Sequence, residues 1–185
     1  MYYSIKGFHT EVILLDNTLP SDYFPLSNGR WWIYSTGSFI FSRDINISVI
    51  DRKNNSYLLK ILYGKFELYA IIRSDVDLYI VAYSKNKADS IENGTFEYIP
   101  KIEILKSPVI KGTSWKNMVG DFRIVDMDYK LKVNKRTYSE TLYIQVKDTS
   151  DAYNHIFLKR GVGIIFAKVY LDGIGNVYLS LKDYK

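Results

Sequence analysis

The residues predict a mainly β fold: a single domain over residues 1–185 of about 9–11 mostly antiparallel strands, with one or two short helices. A curved sheet, a half-barrel or a sandwich would satisfy the pattern. Three observations carry this expectation. The dominant hydrophobic period is two, and no long 3.6-residue stripe occurs. Turn-forming clusters separate the apolar runs. Aromatics number 29 of 185 residues, 17 of them Tyr, a residue favoured in strands.

Along the chain, Glu11–Leu15 reads as a first strand. Ile45, Ile47 and Val49 then alternate with Asn46 and Ser48. Asp51-Arg52-Lys53-Asn54-Asn55 has turn composition, and Ser56–Tyr63, Lys65–Arg73 and Asp77–Ser84 follow as strands. Lys85–Asn93 and Ser114–Gly120 are the short helix expectations, the second with Ser114 as N-cap and Gly120 as stop. Val125–Val133 alternates strictly, apolar at odd and charged at even positions, as a half-buried antiparallel strand would. Leu142, Ile144 and Val146 alternate next. At the end, Ile164–Leu171 and Val177–Leu181 flank Asp172-Gly173-Ile174-Gly175-Asn176, a hairpin composition. The prolines at 20, 25, 100 and 108 suit strand edges or turns.

A short internal echo accompanies the strands. Pro25-x3-Gly29-x2-Trp32 recurs as Pro108-x3-Gly112-x2-Trp115, 83 residues later. In each, Pro fixes φ, Gly supplies a turn residue, and Trp fills the core as the next strand begins.

Tyr23-Phe24-Pro25-Leu26-x2-Gly29-x2-Trp32-x-Tyr34 resembles the opening "Y-F-P-L-x-x-G-x-x-W-x-Y" of a group of bacterial domains with no assigned activity, common in secreted proteins and lipoproteins. Pro108-x3-Gly112-Thr113-Ser114-Trp115 is similar to their internal "P-x-x-x-G-T-S-W". Tyr138–Val146 followed by Gly161-Val162-Gly163-Ile164-Ile165 is similar to their "G-V-G-L-I" region. The resemblance spans roughly residues 23–181 and implies an antiparallel β domain of bacterial origin, but no chemistry. Gly161 and Gly163 read as a bulge or a close backbone approach.

Composition removes several function classes. Zero Cys excludes a disulfide scaffold, a thiol nucleophile, an iron–sulfur cluster and a Cys-type zinc site. Two His leave little room for a histidine metal centre, and no nucleotide-binding glycine loop is present, so no metal and no cofactor is expected. No run approaches the ~20 apolar residues of a membrane-spanning helix. Lys6, His9 and Glu11 interrupt any signal-like run, so the chain as given reads as cytoplasmic, or as an envelope or secreted domain whose leader has been removed.

The net charge of +5 is mild, and its one basic cluster is Lys130, Lys132, Lys135 and Arg136. A solvated mixed-charge face is the reading preferred over a nucleic-acid stripe.

Catalysis finds little support. His9 and His155 lie near no G-x-S-x-G elbow. The pairs Asp75/Asp77, Asp126/Asp128 and Asp148/Asp151 suit turn capping and solvated strands. A hydrolase using Asp126/Asp128 or His155 is the enzymatic alternative. The expectation is instead a non-enzymatic binding or surface-interaction domain, holding an apolar ligand on a curved sheet; its partner would be a small molecule, a glycan or a protein. A glycan- or cell-wall-binding module using exposed Trp and Tyr is the alternative. Trp31, Tyr34, Trp115, Tyr129 and Tyr138 are the candidate contact residues. Pro25, Gly29, Trp32, Pro108, Gly112, Gly161 and Gly163 are the structural motif positions. Adjacent Trp31 and Trp32 must face opposite ways on a strand.

Overall fold

The computed structural model describes residues 18–37, 43–171 and 174–185. A one-turn helix α1 (Pro20–Tyr23) precedes twelve strands: β1 (Trp31–Gly37), β2 (Asp44–Lys53), β3 (Ser56–Tyr63), β4 (Phe66–Ser74), β5 (Leu78–Ser84), β6 (Glu97–Leu105), β7 (Ser114–Asn117), β8 (Gly120–Val133), β9 (Arg136–Asp148), β10 (Tyr153–Lys159), β11 (Gly163–Leu171) and β12 (Gly175–Tyr184). They form one sheet in the order β6-β5-β4-β3-β2-β1-β12-β11-β10-β9-β8-β7, with every pairing antiparallel. Consecutive strands pair within β1–β6 and within β7–β12, and β12 pairs with β1, so the sheet rolls into a nearly closed barrel. A curved sheet is therefore the outcome, not a two-sheet sandwich. The expected strand at Glu11–Leu15 and His9 lie outside the described residues.

The seam lies between β6 and β7. Pro100 removes one donor from β6, the β5–β6 register shifts twice, and β7 has only four residues. Side chains bridge the gap: the Glu103 carbonyl on β6 accepts the Trp115 indole N–H at 3.1 Å and the Asn117 amide at 2.9 Å.

The sequence echo is a structural one. Gly29 N–H donates to the Val49 carbonyl, Val49 N–H to that of Arg30, and Arg30 N–H to that of Ser27. The same three bonds recur as Gly112 to Ile124, Ile124 to Thr113 and Thr113 to Ile110. Gly29 and Gly112 hold φ of +78° and +95°, with open space where a Cβ would sit, so backbone conformation alone calls for glycine there. Each echo thus opens a run of six strands, β1–β6 and β7–β12.

Trp32, Tyr34, Val49, Leu59, Ile72, Leu78, Ile124, Leu142, Ile144 and Leu181 fill the barrel interior. On the outer side of β3–β5, Leu58, Tyr69, Ile71 and Ala82 are also buried, under residues 85–96. The helix expected at Lys85–Asn93 does not form. Ala88, Ile91 and Phe96 lie against that outer face instead, and the Asp51 carboxylate accepts the Ile91 amide at 2.8 Å. The helix expected at Ser114–Gly120 is a hairpin, β7 turning into β8, which accounts for a strand beyond the expected range. Its Trp115 pairs with and stacks on Phe122, with centroids 5.1 Å apart. Gly120, at φ +154°, passes so close to β9 that a Cβ would lie 2.3 Å from the Lys147 carbonyl oxygen.

The antiparallel strand expected at Val125–Val133 forms, as the second half of β8, but its burial does not follow the strict alternation. Three register shifts interrupt β8 opposite β9, and Val125, Met127, Tyr129 and Leu131 are not buried. The Asp126 carboxylate accepts the amides of Met127 (2.8 Å) and Asp128 (3.3 Å), holding the chain in a bulge.

Candidate functional site

Strand ends at one mouth of the barrel leave an open pocket of about 440 Å³. Thr36 comes from the end of β1 and Ile45 from the start of β2. Tyr63 and Phe66 flank the β3–β4 turn, and Leu171, Ile174 and Val177 surround the β11–β12 turn. Thr36, Ile45, Tyr63, Phe66 and Val177 occupy inward-facing register positions, so the interior face continues into the mouth. Phe66 is 75% exposed, and Leu171 and Ile174 are also exposed. Such apolar exposure around a concavity marks a binding surface more often than a scattered surface residue does.

One cation, Arg43, lines the same mouth. Its backbone is fixed by Thr36: Thr36 N–H and Oγ1 donate to the Arg43 carbonyl at 3.0 and 2.6 Å. Arg43 N–H donates back to Thr36 Oγ1 at 3.1 Å. The guanidinium lies over the β3–β4 turn, where a Cβ on Gly64 would come within 2.7 Å of it. Among the described residues the guanidinium has no hydrogen-bond or ion-pair partner. Nearby acids are already engaged. Asp44 pairs with Lys182 at 2.8 Å, and Glu67 pairs with Lys60 at 3.1 Å and accepts the Tyr69 hydroxyl at 2.8 Å. The Tyr69 and Lys60 bonds hold the Glu67 carboxyl below the usual range.

The opposite end is closed and polar. Trp32 is fully buried, packs at a tilt against Phe24 with ring centroids 5.3 Å apart, and donates its indole N–H to the Val162 carbonyl at 2.5 Å. Gly163, at φ +109°, passes Trp32 so closely that a Cβ would sit 3.0 Å from the indole nitrogen. Gly161 N–H donates to Asp22 of α1 at 2.7 Å, and Arg30 donates to the Gly161 carbonyl at 2.5 Å. The expected close approach at Gly161-Val162-Gly163 is therefore where two distant motifs meet. Beside it, Tyr23, Met127, Asp128, Glu140, Lys159 and Arg160 line a second recess of about 400 Å³. Lys159 pairs there with Glu140 at 3.0 Å, and Arg160 packs over Tyr23 and bonds Thr18.

The five contact residues expected from sequence do not converge. Trp31 is half-buried on the outer face at the start of β1. Tyr34 is buried inside, where loss of water raises its phenol far above the ordinary value. Trp115 closes the seam. Tyr138 packs against the core near the closed end. Tyr129 joins an outer-face ladder: Tyr129 against Tyr143 (5.6 Å), Tyr143 on Phe157 (4.7 Å, stacked), Phe157 against Phe166 (6.0 Å) and Phe166 against Tyr178 (6.3 Å).

The acid–base alternatives are engaged structurally. The Tyr143 hydroxyl and His155 Nδ1 share a hydrogen bond at 2.7 Å. Burial, then Lys168, lowers the His155 pKa. Asp126 holds its bulge, and Asp148 accepts from Ser150 N–H and Oγ, Ala152 N–H and Asn154 Nδ2. The Ser150 hydroxyl leads the causes that lower the Asp148 pKa. No group of three or more His, Asp or Glu that could hold a metal occurs among the described residues. Among the described residues no helix is long and apolar enough to cross a membrane. Lys130, Lys132, Lys135 and Arg136 are exposed around the β8–β9 turn, away from the pocket mouth.

Sequence reasoning missed the mouth. The alternation of Ile45, Ile47 and Val49 indicates a buried face, but which strand ends share a rim depends on strand order. The Gly64-Lys65-Phe66 turn, with a bulky aromatic at a tip, was the available signal. No family model, curated protein or solved structure matches this chain significantly.

Proposed function

We propose that this is a non-enzymatic binding domain that holds an apolar small molecule in the mouth of its barrel. The observation that carries the reading is the open 440 Å³ pocket walled by Ile45, Tyr63, Phe66, Leu171, Ile174 and Val177. Its size falls in the range of small-molecule sites, roughly 300–1,000 Å³. Beneath it, buried side chains such as Trp32, Tyr34, Leu142 and Leu181 pack the interior.

The test is titration with an uncharged polarity-sensitive dye such as Nile red. Saturable enhancement that weakens in Phe66→Ser and Ile45→Ser supports the reading. Absence of enhancement in the wild type, with the fold intact by circular dichroism, defeats it.

A glycan module is a second reading, supported by the outer ladder. Its end rings, Tyr129 and Tyr178, are 38% and 39% exposed, as stacking platforms need to be. It predicts soluble oligosaccharides shifting the Tyr129 and Tyr178 resonances and leaving Phe66 unmoved. No shift across a polysaccharide panel removes it.

A further inference from the structure

The mouth pocket combines an apolar wall with a cation, Arg43, whose backbone is fixed and whose guanidinium is unpaired among the described residues. Resting on the pocket-binding reading, we propose that its ligand is a single-chain anionic amphiphile, a fatty carboxylate. The acyl tail lies against Ile45, Phe66, Ile174 and Val177, and the carboxylate meets Arg43.

Three observations support the headgroup assignment. First, Arg43 lines the pocket and its guanidinium has no partner among the described residues. A guanidinium presents a planar fork of donors matched to a carboxylate. Second, the reciprocal bonds with Thr36 fix the Arg43 backbone at the rim. Third, the neighbouring acids are neutralised: Asp44 by Lys182, and Glu67 by Lys60 and Tyr69. Tyr63, also on the wall, has a hydroxyl without a partner among the described residues, so it can supply a second donor. The opposite recess has no such asymmetry, because Lys159 and Glu140 already pair within it.

The experiment compares three probes of matched tail, decanoate, decanol and decyltrimethylammonium, by calorimetry below micelle-forming concentrations. Arg43 is exposed, so its ion pair is screened; decanoate is expected to bind roughly three- to fivefold more tightly than decanol. That ratio is expected to shrink as salt rises, to collapse toward one in Arg43→Gln, and to persist in Lys135→Gln at the other end of the barrel. Equal affinity of wild type for decanoate and decanol, or preference for the trimethylammonium, overturns the headgroup assignment while leaving the pocket reading intact. Binding of none of the three overturns both.

Discussion

Replacing either core tryptophan by phenylalanine removes an indole donor, and the structure assigns the two substitutions different costs. Among the described residues Trp32 is the sole side-chain donor to the Val162 carbonyl. Trp115 shares its acceptor: the Glu103 carbonyl also takes the Asn117 amide at 2.9 Å. Trp32→Phe therefore leaves a carbonyl without its partner, a loss of about 1–3 kcal/mol. Trp115→Phe leaves Glu103 still bonded and forfeits about 0.5–1.5 kcal/mol. Both changes shrink the ring and open a void, a contribution that largely cancels in the comparison. Trp32→Phe is expected to destabilise more by about 0.5–1.5 kcal/mol, roughly 1–6 °C in Tm for a chain of this size. Urea unfolding followed by circular dichroism, with equal m-values across the set, measures it. Equal losses, or a larger loss at Trp115, would refute the assignment of Trp32 as the clasp between the two motifs.

The seam yields a coupled prediction: Asn117→Ala combined with Trp115→Phe should cost about 1 kcal/mol more than the sum of the single changes, because only the pair orphans Glu103. Additive losses in a double-mutant cycle would contradict it. Gly163→Ala meets both a positive φ and the Trp32 indole at 3.0 Å, whereas Gly112→Ala meets only a positive φ. The first should cost about 2–4 kcal/mol and the second about 1–2 kcal/mol by thermal unfolding. A difference should narrow when Gly163→Ala is made in the Trp32→Phe background. His155 gives a pH dependence. Its folded pKa lies below the ordinary 6.5, so the unfolded chain takes up the proton first as pH falls. The contribution is complete above about pH 6.5 and is lost as pH falls toward the folded pKa. His155→Gln should flatten the urea midpoint over about pH 7 to 5; an unchanged slope would show that another group is responsible.

The strands were legible where local alternation and turn chemistry agree. Of the expected Asp51–Asn55 cluster, Asn54 and Asn55 make the turn joining β2 and β3, with Asn54 at φ 54°, while Asp51–Lys53 extend β2, and the Ser56–Tyr63 strand has its expected bounds. The Gly163–Leu171 and Gly175–Tyr184 strands likewise flank the expected glycine-rich turn. The sequence misleads where tertiary contacts decide. Ser114–Gly120 has a serine start and a glycine stop, yet the Trp115–Phe122 stack and the approach of Gly120 to β9 make it a hairpin. Val125–Val133 alternates, yet Asp126 draws the chain into a bulge. The site was less legible than the fold. Aromatic excess drew attention to Trp31, Tyr34, Trp115, Tyr129 and Tyr138, while the mouth is built from aliphatic and aromatic residues of six strands, β1–β4, β11 and β12, and the turns beside them. Only the closure of β12 onto β1 brings those ends together.

A methyl-resolved NMR titration of the protein with decanoate tests the pocket most directly. The account predicts saturable shifts concentrated on Ile45, Leu171, Ile174 and Val177, with Ile124 and Ile144 in the filled interior unmoved. Shifts centred instead on Met127 and Val162, at the closed end of the barrel, or no saturable shift at any methyl, would contradict it.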